Sequence, residues 1–177
     1  MAKHHVFLHI GPDVIEVDER VREQLTAGGV ATPDVMQADL DRADVEIRRV
    51  HKAAGLKRKD VEGAWARVCR RTFRLRAHSF ISQPGFWQAE PEQAALALDG
   101  LHGLKVHLVT TGGAEPPAAW SQRVKPERVH VLDAVGGSAP FAADVVRLAL
   151  TVEKARLDKS LFKLKKERKR VEQRLSV

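Results

Sequence analysis

The run His5 to Ile10 (HVFLHI), closed by Gly11 and Pro12, constrains this chain more than any other stretch. A short, largely apolar run bounded by a breaker reads as a central parallel strand covered on both faces. From Val14 the apolar positions Val14, Val17, Val21 and Leu25 recur at helical spacing until Gly28 and Gly29 stop them. Strand, glycine turn and helix start, so close to the N-terminus, mark where an α/β domain would carry a phosphate-binding loop. The parts of such a loop are missing. A G-x-x-x-x-G-K-[ST] loop needs clustered glycines so that backbone N–H groups converge on the anion, a Lys for charge and a hydroxyl beyond it. After Gly11 the next glycine is Gly28, the turn holds no Lys or Thr, and Asp13, Glu16 and Asp18 place negative charge where an anion would dock.

The rest of the chain repeats the alternation. Thr32, Pro33 and Asp34 form a helix-start signal, with Thr as N-cap, Pro at the first helical position and an acid at the positive end of the dipole. Met36, Leu40, Ala43, Ile47, Val50 and Ala54 then follow a three-four spacing up to Gly55, and a further helix is expected from Asp60 to about Thr72 with Val61, Trp65 and Val68 inward. These two are expected to form a helical hairpin between strands. Arg76 to Ser82, Leu104 to Thr110 and Arg128 to Leu132 read as strands, separated by an Ala/Leu-rich helix over Glu90 to Gly100 and a short helix around Pro117 to Arg123. After the loop from Val135 to Ser138, Pro140 opens a helix with no breaker before the C-terminus. The expected fold is a single α/β domain, a parallel sheet of four or five strands with helices on both faces over residues 1–150, followed by a basic, coiled-coil-like helical tail over residues 151–177.

Length and composition bound the function. The chain has 177 residues, enough for one domain with a real core, and 44% hydrophobic content with mixed charges fits a soluble globular protein. No apolar run approaches the roughly 20 residues that span a bilayer, and Met1 to His5 lack a signal-peptide core, so a cytoplasmic location is expected. Cys69 is the single cysteine, so no internal disulfide forms. The net charge of +7 is local: residues 154 to 177 hold ten Lys/Arg against three acids, and residues 1 to 153 balance at 20 against 20.

Residue by residue, most tempting chemistry has a plainer reading. His4 and His5 sit at a terminus expected to be mobile, and His9, His78, His107 and His130 fall on or beside four different strands, so surface or strand-end histidines are expected and no metal site. Cys69 reads as a small core residue. Trp65 and Trp120 fall on apolar helix faces and read as core or lid packing, whereas Phe86 and Trp87, in the loop from Pro84, read as an exposed contact and binding candidate. In the tail, Leu150, Leu157, Leu161, Leu164, Val171 and Leu175 keep a seven-residue repeat, while Lys163, Lys165, Lys166, Arg168, Lys169 and Arg170 surround it. Three readings stay open: a solvated helix that self-associates or binds a protein partner through residues 150–177, attachment to nucleic acid or another polyanion, and a membrane-surface helix.

The residues from Val6 to Gly11 resemble the opening of bacterial sulfotransferase-family proteins, whose glycine is followed by a Pro-Lys-Thr-Gly-Thr-Thr loop that grips the 5′-phosphosulfate of the donor PAPS. The likeness continues through Gln24 to Pro33, Trp65, Ser79 to Ser82, Val106 to Thr110 and Ala118 to Gln122, covering residues 5 to 150. The resemblance implies a P-loop-like α/β fold, and the positions that carry chemistry in the family depart from it here. Gly11, Pro12 and Asp13 begin a degenerate donor loop, and Gln83 and Pro84 follow Ser82 where the family presents His or Ser and then Glu. Thr110 to Gly113 stand where an Arg-Asp pair is expected. The implied function is a catalytically inactive binding or scaffold module, with no cofactor and no catalytic residue, that assembles through its C-terminal helix. The alternatives are an active or residually PAPS-binding sulfotransferase, and tail-mediated nucleic-acid binding.

Overall fold

The computed structural model describes residues 4–133 and 136–175, with side chains up to residue 174. Met1 to Lys3 of the terminus read above, Val135 of the loop, the side chain of Leu175 and the last two tail residues lie outside the described residues. Five parallel strands form one sheet in the order β2-β3-β1-β4-β5. They are β1 (His5–His9), β2 (Val30–Ala31), β3 (His78–Ser82), β4 (Lys105–Thr110) and β5 (Val129–Val131). β1 lies at the centre, with Phe7 opposite Phe80 of β3 and His107 of β4.

The helices are α1 (Glu19–Ala27), α2 (Gln37–Arg48), α3 (Arg58–Val61), α4 (Ala64–Leu75), α5 (Pro91–Gly100), α6 (Ala118–Ser121) and α7 (Ser138–Leu175). Strand parity sorts them into two layers. Val6, Leu8 and Ile10 of the β1 segment pack with Ile47, Trp65, Val68, Ala97 and Trp120 from α2, α4, α5 and α6. Phe7 points the other way, into a second core with Leu25 of α1 and Phe141, Val145 and Ala149 of α7. Both faces of β1 are therefore dry, as its unbroken apolar run requires.

Three of the expected helices differ in their bounds, each for a local reason. α1 begins at Glu19 rather than Val14, because the Asp18 carboxylate accepts the Val21 N–H at 2.8 Å and fixes the start there. The preceding β-branched residues Val14, Ile15 and Val17 favour extended backbone, and Val14 is exposed. α2 begins at Gln37, not at Thr32: Val30 and Ala31 are consumed by the edge strand β2, the Pro33 carbonyl accepts the Val35 N–H, and Met36 is exposed instead of inward. It ends at Arg48 because Arg49 adopts a left-handed conformation, well short of Gly55. The single helix expected from Asp60 is split at Gly63 into α3 and α4, and both pieces pack against α2. Glu46 of α2 caps the second piece, its two carboxylate oxygens accepting the N–H groups of Gly63 at 2.6 Å and Trp65 at 2.7 Å.

α7 is continuous, as its lack of breakers predicts. Its first turns run antiparallel to the strands: Phe141 packs edge-on to Phe80 and tilted against His9, and Glu153 reaches His78 at the other end of β3. Past Arg156 it leaves the sheet, and Leu157, Leu161, Leu164 and Val171 are all more than half exposed. No helix among the described residues is long and apolar enough to cross a membrane.

Candidate functional site

In an open parallel sheet the carboxyl ends of the strands are the place for a ligand, because the loops there diverge to opposite faces. Here the loops after β1, β3 and β4 meet at that edge. Gly11 ends the first with φ 107°, and a Cβ on it would stand 2.9 Å from the Pro84 carbonyl oxygen, so the close approach of two loops requires glycine. The turn is stitched to β4: the Thr111 N–H donates to the Gly11 carbonyl at 3.1 Å, and the Asp13 N–H donates to the Thr111 hydroxyl at 3.2 Å. Asp13 thus spends on its own chain a backbone donor that a phosphate cradle would offer.

Beyond Asp13 the chain forms no helix or strand until Asp18, whose backbone is extended and whose carboxylate accepts the Val21 N–H of α1. A helix N-terminus is the natural seat of an anion, and in this chain a carboxylate already holds it. Glu16 and Asp18 also line an open cleft of about 390 Å³, with Gln37, Leu40, Ser82 and Pro84 across from them and no Lys or Arg in the wall. An anion entering it meets carboxylates.

Behind that cleft His9 and Ser82 form a buried pair, with Nδ1 3.0 Å from the hydroxyl oxygen. His9 is enclosed by Phe80 and Phe141, and burial pushes its pKa down to about 4, opposed weakly by Asp13. Its Nε2 is buried with no hydrogen-bond partner. Among the described residues no third group orients the imidazole, and the His9–Ser82 contact joins β1 to β3 at their carboxyl ends. Gln83 is likewise structural: its side-chain amide donates to the Leu40 carbonyl at 2.8 Å, tying α2 to the end of β3.

The structure corrects the exposed position expected of Phe86. A 3₁₀ turn over Pro84–Gln88 points Phe86 into the core, where it is fully buried, stacked on Trp120 at 5.7 Å and edge-on to Trp65 at 5.2 Å. The Trp120 indole N–H donates to the Phe86 carbonyl at 2.9 Å, which locks the turn inward. Trp87 is half-buried against the same cluster and keeps part of its surface exposed, so the correction applies to Phe86. Cys69 is buried, as expected, and burial drives its thiol up to about 12, far from a thiolate.

A second correction concerns the histidines. His5 belongs to β1 rather than to a mobile end, and His5, His9 and His107 are all buried. His5 Nδ1 lies 2.8 Å from His107 Nε2, and His107 Nδ1 lies 2.9 Å from His130 Nε2, so three imidazoles form a chain across β1, β4 and β5. Burial is the first cause that lowers all three, with His5 at about 4 and His107 at about 3; His78 and Lys105 add to it at His5, and His5 and His130 at His107. His78 accepts the His5 backbone N–H at Nδ1 and faces Glu153 through Nε2. Among the described residues no group of three or more His, Cys, Asp or Glu side chains is placed to hold a metal ion. The strand positions were visible in the sequence; that the rings meet depends on register, which no single strand encodes.

The basic tail candidates Lys163, Lys165, Lys166, Lys169 and Arg170 are all exposed on the free part of α7. No family model, curated protein or solved structure matches the chain.

Proposed function

We propose that this chain is a catalytically inactive, sulfotransferase-like protein that works as a binding or scaffold module and assembles through its C-terminal helix. The observation that carries the reading is the occupied N-terminus of α1, where the Asp18 carboxylate accepts the Val21 N–H and lines, with Glu16, a cleft whose wall holds no Lys or Arg, the nearby Arg22 guanidinium being turned onto the Val17 carbonyl and the Thr32 hydroxyl. Sulfuryl transfer needs positive charge aimed at the group in flight, and this edge supplies the opposite sign. The strand order and the glycine turn after β1 support a P-loop-like ancestry on fold alone.

Assembly is supported by the stripe of Leu157, Leu161, Leu164 and Val171, exposed along a helix that leaves the body of the protein. Sedimentation velocity of the full chain against a chain ending at Arg156 tests it: the full chain sediments as an oligomer and the shortened one as a monomer. Equal sedimentation as monomers contradicts the scaffold reading. A second reading, nucleic-acid attachment through the same tail, is favoured by the uninterrupted exposure of its Lys and Arg side chains; it predicts tail-dependent binding with a steep negative slope against salt.

A further inference from the structure

The strongest unassigned feature lies at the other end of the sheet, on the face covered by α7. There an open cleft of about 440 Å³ is walled by cations from two sides. Lys105 opens β4 and Arg128 ends the turn before β5, while Lys159 and Lys163 project from α7 just past the point where it leaves the sheet. Glu127 is the one carboxylate among the described lining residues. Arg156, also in the wall, is already held by Glu153, its Nε donating at 2.8 Å. Lys105, Arg128, Lys159 and Lys163 make no ion pair among the described residues.

Gathering four unpaired cations around one hollow is unfavourable by itself, and like charges at i and i+4, as at Lys159 and Lys163, weaken the helix that carries them. The floor offers no relief, since His5 and His107 are neutral imidazoles. The occupant that relieves this repulsion is compact and carries several negative charges. No Phe, Trp or Tyr lines the cleft and the His5 and His107 rings are buried in the sheet, so it offers no exposed ring for a nucleobase, while an Arg fork and Lys point charges suit phosphate oxygens.

We propose that this cleft binds a compact di- or polyphosphate group, gripped by Lys105 and Arg128 from the sheet and by Lys159 and Lys163 from α7. It stands independently of the inactive donor turn, which lies at the opposite strand ends. Occupancy ties the first exposed turns of α7 to β4 and β5, so the ligand also sets the direction in which the tail projects.

The test is a calorimetric titration of the full chain with inorganic pyrophosphate, with orthophosphate as comparator. Saturable pyrophosphate binding is expected, tighter than orthophosphate. Lys105→Gln with Arg128→Gln, and separately Lys159→Gln with Lys163→Gln, each weaken it by about tenfold or more. Arg70→Gln with Arg74→Gln removes the same charge from α4 on the opposite face and leaves the affinity within about twofold. The α7 pair is exposed, so its variant keeps the test valid if the sheet pair unfolds the protein. Absence of saturable binding, equal losses in all three pairs, or loss in the α7 pair with a folded sheet pair unaffected overturns the proposal. So does a single-stranded oligonucleotide that needs both cleft pairs and that pyrophosphate fails to displace.

Discussion

Four imidazoles, those of His5, His9, His107 and His130, are held below their ordinary pKa chiefly by burial, and this makes stability depend on pH. In the unfolded chain each takes a proton near pH 6.5, whereas folded His5 and His9 wait until about 4 and His107 until about 3. Between those limits the unfolded state binds more protons, so stability is complete above about pH 7 and falls as the pH drops toward 4. Glu153 acts in the same direction at lower pH: the Arg156 hydrogen bond holds it down to about 2, and its contribution is lost between about pH 4.5 and 2. Thermal melts at pH 7.5 and pH 5 should therefore differ, by about 2–4 °C for every kcal/mol lost, with the lower Tm at pH 5. Equal melting temperatures contradict the neutral histidine chain. At this level the sequence was legible where a residue acts through its own charge, as at Asp13, Glu16 and Asp18. It was opaque where the role depends on a partner: Asp18 as the cap of α1 required knowing where the helix starts, and the His5, His107 and His130 contacts required the register of three strands.

Two packed contacts carry the helices that frame the sheet. Gly28, at the end of α1, lies directly under Val146 of α7, and a Cβ there collides with the valine methyl groups. Gly28→Ala should cost about 1–3 kcal/mol in chemical denaturation, and Val146→Ala in the same chain should recover part of that loss. Additive losses contradict the contact. On the other face Trp120→Ala removes the ring stacked on Phe86 and the indole bond to its carbonyl, and should cost about 3–5 kcal/mol. Elements with their own punctuation were readable: α5 between Glu90 and Gly100, α6 after Pro117, the long α7, and strands β1, β3, β4 and β5. Those decided by tertiary pairing were not. β2 is two residues long and exists because it lies beside β3, and its formation displaces the start of α2; the turn over Pro84–Gln88 looks like an exposed loop until Trp65 and Trp120 are seen to enclose Phe86.

Across the molecule, charge is segregated: acidic groups at the carboxyl ends of the strands, a cationic cleft at the amino ends, and a basic helix running away from the body. The inactive reading rests on the first of these, and a nucleotide with two phosphates also meets the second. The two are separated by titrating the Lys105→Gln, Arg128→Gln chain with adenosine 3′,5′-bisphosphate and following heat of binding and Tm. With the cationic cleft disabled, the account predicts no saturable heat and an unchanged Tm, because Asp13, Glu16 and Asp18 repel the phosphates from the turn after β1. Saturable binding that raises the Tm of this variant would contradict it.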